Sequence, residues 1–305
     1  PTAATSISLD EAVRLTVAAP PTAPRPPLPT ATPEPTATPT QVIVRYGPDN
    51  FPANVNPLTG LEVSDPSILD RRPVMVKVAN FPYEGRPHVG LPNADIVFDY
   101  YTGEGQNRFL ALYYGQDASV IGPMRSMRLV DRYLVGMYQG VLAGVHGFET
   151  VVEKVYSYLG ALRIVNEGPN ACPAICRDKD IVMPLNAFGN SAEISKTYGA
   201  RTNATNTRQN LDGMLFHTIP PAGGVAGTEV IHHFGKTNEA KWVYNEETGK
   251  YMRWIDNNGV LEFIPLVDRS TGEQLQFSNV IILFSQIETL NNDDSIHQFK
   301  ILNTT

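Results

Sequence analysis

The sequence predicts an α+β fold: a mixed α/β amino-terminal part and a β-rich carboxy-terminal part, preceded by a disordered Pro/Thr-rich stalk. Three observations predict it. Residues 1–40 carry ten prolines, with Thr and Ala making up most of the rest. Residues 42–222 mix alternating strand patterns with helical spacing. After about Gly223 the helical signal nearly vanishes and short strand patterns follow one another. The expected boundaries are therefore 1–41, 42–222 and 223–305.

The stalk reads PPTAPRPPLPTATPEPTATP from Pro20 to Pro39. Proline fixes φ and removes a donor, so this stretch favours extended polyproline II and has nothing to bury. Twenty such residues span roughly 60 Å. Ser8-Leu9-Asp10-Glu11 forms a capping-box pattern, predicting a short helix over Leu9–Ala18, too short to be stable alone. The chain starts at Pro1 without a charged and apolar leader, so a processed or truncated N-terminus with an export signal upstream is expected.

Composition bounds the function. The 305 residues carry a formal charge of -7, with 42% hydrophobic and 18% charged residues. Nothing here supplies the basic field that holds a nucleic-acid backbone, and no such partner is expected. No run of 18 apolar residues exists, so no membrane-spanning helix is expected.

Strands are expected at Pro73–Asn80, Asp95–Tyr101, Arg108–Tyr114 and Gly140–His146, with a hairpin loop over Gly103–Asn107. Helices are expected over Arg128–Tyr138, over Glu149–Leu159 and within Leu185–Tyr198. In the last part, strands are expected at Val230–Phe234, Lys241–Tyr244, Lys250–Trp254, Val260–Ile264, Asn279–Phe284 and Gln298–Leu302. The chain stops just after a strand-like run, so further strands are expected beyond Thr305.

The densest chemical pattern is Gly122-Pro123-Met124-Arg125-Ser126-Met127-Arg128. A turn feeding a helix start offers unpaired N–H groups, and Arg125 and Arg128 add a cradle for an anion. Ser126, Arg132 and Arg108 are placed to join them. The competing reading is that Asp99, Asp131 or Glu104 neutralises these arginines in structural ion pairs. His88, in a loop, and His146, at a strand end, are candidate acid/base groups, as are Asp95, Asp99 and Glu104. A solvated or structural histidine is the plain alternative. Asp95 is also suited to pinning a loop by accepting N–H bonds.

Cys172 and Cys176 are the only cysteines. Their C-x3-C spacing suits a local disulfide in an exported protein, or two free thiols. His232-His233 cannot easily chelate one ion, because neighbours on a strand face opposite ways. No zinc, calcium or nucleotide motif occurs, so neither a metal nor a cofactor is expected. Trp242, Tyr244, Tyr251 and Trp254 form cross-strand core pairs or, if they share a face, a sugar-stacking surface.

Several strings occur together: NPLTGL (56–61), RRPVMVKVAN (71–80), RPHVGLPNADIVFDYY (86–101), RFLALYY (108–114), IGPMRSMR (121–128), WVYNEETGKYMRW (242–254) and NVIILF (279–284). In their order and spacing the chain resembles the YerB-like family of bacterial lipoproteins, of unknown function, from about residue 56 to the end. The resemblance implies an extracytoplasmic protein, anchored to the cell membrane through a lipid upstream of Pro1. Departures occur at Gly103-Glu104-Gly105, Leu185-Asn186 and His146-Gly147-Phe148-Glu149.

Three functions compete. The first is a tethered binding or scaffold module that meets a cell-envelope component or anionic ligand. The second is a phosphotransferase-like enzyme acting on a lipid-linked pyrophosphate or cell-wall substrate. Its element order is similar to that of the LytR-CpsA-Psr phosphotransferases, a likeness of fold that does not establish function. The third is a carbohydrate-binding protein.

Overall fold

A computed structural model describes residues 45–290 and the backbone of 293–301. The expected stalk and its short helix lie outside the described residues. The chain runs through β1 (Arg45–Tyr46), β2 (Val74–Ala79), β3 (Ile96–Gly103), β4 (Gln106–Tyr113), α1 (Asp131–Met137), β5 (Val141–Gly144), α2 (Glu149–Leu159) and β6 (Ile164–Asn166). Then come β7 (Ile175–Arg177), β8 (Ala187–Gly189), α3 (Ser191–Gly199) and β9 (Phe216–His217). The last part holds β10 (Glu229–His233), β11 (Glu239–Asn245), β12 (Lys250–Asn257), β13 (Val260–Pro265), β14 (Gln276–Phe277), β15 (Ser285–Leu290) and β16 (Asp293–Ile301).

The main sheet has the order β3-β4-β2-β5-β6. β3, β4 and β2 pair antiparallel, whereas β2, β5 and β6 pair parallel. Both faces are covered, which is why β2 and β4 read as nearly continuous apolar runs. Val74, Val76 and Val78 of β2 join Phe109, Ala111 and Val141 in one core. Met75 joins Leu110, Leu112 and Leu142 in the other. This second face lies under α1 and α2, whose Val135, Val151, Val155 and Leu159 are buried. The i, i+4, i+8 spacing in α2 makes that helix legible in the sequence.

The opposite face carries α3, through Ile194 and Tyr198, and the second sheet, through Ile255, Leu266 and Leu275. That second sheet is a meander β10-β11-β12-β13, with β14 paired to β12. Ile43–Thr305 form one compact unit. A buried polar network fastens its two sheets together. Asp99 accepts from Arg253 at 2.9 Å, and Arg253 stacks on Trp242 at 4.3 Å. Arg86 grips both carboxylate oxygens of Asp256 at 3.0 and 3.2 Å. The Asn107 amide bonds Asp99, while its oxygen accepts from Asn238 at 3.0 Å.

Two elements differ from expectation. Helix α1 begins at Asp131 rather than at Arg128, because the Asp131 carboxylate accepts the Arg128 N–H at 2.6 Å and closes a turn there. The apolar run Asn279–Phe284 is not a strand, and β15 starts only at Ser285. Among the described residues that run finds no neighbouring strand, and a strand exists only where its backbone groups are paired. Leu283 and Phe284 are largely exposed.

Candidate functional site

Strand register builds the site. On β2, Lys77 follows Met75 onto the face covered by α1 and α2. On β4, Arg108 precedes Leu110 and Leu112 on that face and sits opposite Tyr100 of β3. The apolar layer therefore ends in a polar layer of Lys77, Tyr100 and Arg108, at the carboxyl end of β2.

The parallel strands β2 and β5 pair as far as Val76 and Ala143 and then part. Segment 124–127 fills the gap. The Arg125 N–H donates to the Lys77 carbonyl at 3.0 Å, and the Arg125 carbonyl accepts from Val145 at 3.2 Å. The Met127 N–H donates to the His146 carbonyl at 2.9 Å. Gly144 lies close beneath this crossing, where a Cβ would sit 3.0 Å from Met127 Cγ and press that side chain aside. The carboxyl ends of parallel strands, where neighbouring chains separate, are where open α/β sheets collect ligands.

Charge accumulates in this crevice. Lys77 lies 3.2 Å from Asp131, and both side chains are fully buried. The Tyr100 hydroxyl bonds both of them. Arg108 donates to the Ser126 carbonyl at 2.9 Å and Arg128 to the Met127 carbonyl at 3.1 Å. Among the described residues no carboxylate reaches ion-pair distance of Arg108, Arg125 or Arg128. The Nε of each is buried without a hydrogen-bond partner. Among the described residues Asp131 is thus the carboxylate that meets this cluster, touching Lys77 directly and acting on Arg108 and Arg128 through its charge.

The crowding shows in their acidities. Burial, reinforced by Arg128 and Arg125, pushes Arg108 down to about 9. Burial pushes Lys77 down to about 7 against the pull of Asp131, with Arg108 and Arg128 adding to the lowering. Arg125 and Arg128 are also lowered, by burial first. Burial and Asp131 hold the Tyr100 phenol well above its usual value, so it stays protonated. Such a site favours an entering anion, which would stabilise the charged form of each cation.

The remaining predicted residues lie around it or elsewhere. Ser126 contributes its carbonyl to Arg108. Arg132 turns to aromatic rings, donating to the Tyr133 hydroxyl at 2.6 Å and lying 4.5 Å from that ring. The expected helix-start cradle is corrected: Arg125 and Arg128 lie on the strand-like segment before α1, not at its first turn. Asp95, Asp99 and Glu104, expected beside the arginines, are not there. Asp95 sits at the far end of β3, accepting from Tyr114 at 2.6 Å, Gly115 at 2.9 Å and Asn56 at 2.9 Å. Burial raises its pKa to about 6. Asp99 is held by Arg253 and Asn107. Glu104 is exposed at the β3–β4 turn, beside a cleft of about 560 Å³ also lined by Phe81, Tyr83 and Lys236.

His88 is not solvated. It is fully buried, packs against Phe109 with ring centroids 5.1 Å apart, and is pushed down to about 3 by burial and then by Arg86. His146 is exposed and its ring meets Asn166 at 3.1 Å, while its carbonyl holds Met127. Cys172 and Cys176 form a disulfide with Cα atoms 4.6 Å apart. Of the aromatic quartet, Tyr244 and Tyr251 are a cross-strand pair at 5.2 Å and Trp242 supports Arg253. No group of three or more metal-ligating side chains occurs among the described residues.

Sequence reasoning missed Lys77 and Tyr100. Lys77 left a trace: it is the one charged residue in the apolar run PVMVKVAN, in register with core positions.

The chain belongs to a two-part protein family, one match falling on each part. Residues 58–205 match the family described as protein of unknown function (DUF3048), N-terminal domain, and residues 230–304 match its C-terminal domain. A particular relative is the Bacillus subtilis (strain 168) chain named "Putative lipoprotein YerB", 29% identical over 243 residues, 78% of this chain and 69% of that one. The crystal structure of YerB protein from Bacillus subtilis superposes with a TM-score of 0.64 at 23% identity, covering 80% of this chain and 79% of that one. The shared fold extends over both parts.

Proposed function

We propose that this protein is an extracytoplasmic, membrane-tethered binding module that accepts an anionic group of a cell-envelope component at Arg108, Arg125 and Arg128. The single observation that carries the reading is the set of three guanidinium groups with no carboxylate partner among the described residues, each with a buried, unbonded Nε. By contrast Arg86 and Arg253, buried between the sheets, are neutralised by Asp256 and Asp99. Tethering is supported by the lipoprotein name of its relative and by the proline-rich first 40 residues. Strand β4 and segment 124–127, each hydrogen-bonded on both sides, present Arg108 and Arg125, and Asp131 holds the Arg128 backbone, so little ordering is needed on binding.

Calorimetric titration with inorganic pyrophosphate tests this. Saturable one-to-one binding that weakens as salt rises is expected. It should vanish in Arg125→Ala/Arg128→Ala. A wild-type protein that takes up no pyrophosphate, phosphate or sulfate at low salt would end the reading.

A further inference from the structure

The composition of the crevice says which anions suit it. Arg108, Arg125 and Arg128 cluster beside Lys77 and Tyr100, and among the described residues Asp131 is the one carboxylate in contact. Even with Lys77 neutral, two positive charges remain in excess; with Lys77 charged there are three. A singly charged ligand leaves like charges crowded around Arg108, which is only 5% exposed. A doubly charged tetrahedral oxyanion balances them, and its several oxygens can serve the unbonded guanidinium donors of different arginines at once.

We propose that the site selects a doubly charged tetrahedral oxyanion, a phosphomonoester or a terminal phosphate of a diphosphate, over singly charged carboxylates and phosphodiesters, with Lys77 supplying the additional charge beside the arginines. This rests on the anion-binding reading above and names its ligand class.

A consequence separates this from general anion binding. Lys77 is pushed down to about 7 in the free protein. A dianion nearby favours its charged form, so binding draws a proton onto Lys77. Among the described residues the groups facing Lys77 are Tyr100 from β3, Arg108 from β4, Arg128 from the segment before α1 and Asp131 from α1. Tyr100 is held protonated and the arginines remain charged near neutral pH, so Lys77 is the group among them positioned to change charge. The affinity should be highest below pH 7 and fall as pH rises through that value.

Sulfate is the clean probe, because it does not itself titrate near neutral pH. Calorimetry of the full chain in buffers of different ionisation enthalpy gives the proton uptake. About half a proton per sulfate is expected at pH 7, little at pH 6 and close to one at pH 8. Sulfate and phenyl phosphate should bind at least about tenfold more tightly than acetate. Lys77→Met should bind sulfate more weakly and without proton uptake; the wild-type measurement decides even if this variant fails to fold. His146→Gln, which removes the exposed imidazole just past the end of β5, should leave the uptake unchanged.

Vesicles separate the sources. Phosphatidylcholine vesicles carrying phosphatidic acid, captured in preference to ones carrying phosphatidylglycerol, support the proposal with a lipid headgroup as source. Tight sulfate and phenyl phosphate binding without vesicle capture supports it with a soluble source. Equal binding of acetate and sulfate, or sulfate binding with no proton uptake at pH 8, overturns the proposal while leaving anion binding intact. No binding of any anion removes the underlying reading instead.

Discussion

At the residue scale, buried charge sorts into two kinds. Asp99 and Arg253 are a closed pair across the two sheets, their side chains 10% and 3% exposed. Removing one partner strands the other, so Asp99→Ala should cost about 3–5 kcal/mol in denaturant unfolding. His88 makes a pH-dependent contribution. Its folded-state pKa, about 3, lies below the ordinary histidine value of about 6.5. The unfolded chain therefore binds more protons between those values, and stability present above pH 6.5 is lost as pH falls toward 3. His88→Gln should flatten the acid side of the stability profile by up to about 1.4 kcal/mol per pH unit in that window. An unchanged slope would show that His88 is not held neutral. Arg108, Arg125 and Arg128 were legible as a cluster because they flank one motif or open a strand. Lys77 and Tyr100 were not, because their approach to Asp131 depends on three strands and a helix meeting in register. The same cause misplaced Asp99: a strand residue's face is set by its neighbours, and Tyr100 and Asp99 face opposite ways.

At the element scale, the decisive piece is the irregular stretch 121–128. It is threaded through the fold by bridges from Ile121 to Gly189, Gly122 to Val89 and Met124 to Val78. Gly90 permits this close approach: its φ is +84, and a Cβ there would meet the Val120 carbonyl oxygen at 2.3 Å. Gly90→Ala should therefore lower stability by roughly 2–3 kcal/mol, combining left-handed strain with a backbone clash. A melting temperature unchanged from wild type would contradict the threading. Helix α2 and strands β2 to β5 of the main sheet were readable from the sequence pattern, since their patterns report burial directly. The start of α1 was not, because a side-chain bond from Asp131 to Arg128 ends the spacing pattern short of the helix. The strands β6, β7 and β8 are three residues each, too short for any period to register.

At the scale of the whole molecule, the two sheets share a core and a polar weld within one compact unit, while residues 1–41 have the composition of a spacer. Deleting 1–41 should leave the melting temperature unchanged, because so proline-rich a segment has little to bury; a drop would show that it packs on the body. The fold class was legible because helices leave the pattern near Gly223. The joining of the parts was not, because Arg86, Asp256, Asp99 and Arg253 meet across more than 150 residues of sequence. The central claim is that the body holds an arginine cluster which its own carboxylates do not neutralise. Its most direct test is thermal and denaturant unfolding of wild type and Arg125→Ala/Arg128→Ala, with and without pyrophosphate. The expected result is a double variant as stable as wild type, or slightly more so, as like charges are relieved. Pyrophosphate should stabilise only the wild type, by about 2.7 kcal/mol at a hundredfold excess over the dissociation constant. A double variant weakened by about 3–5 kcal/mol, with no response of the wild type to pyrophosphate, would contradict the claim and mark these arginines as structural ion-pair partners.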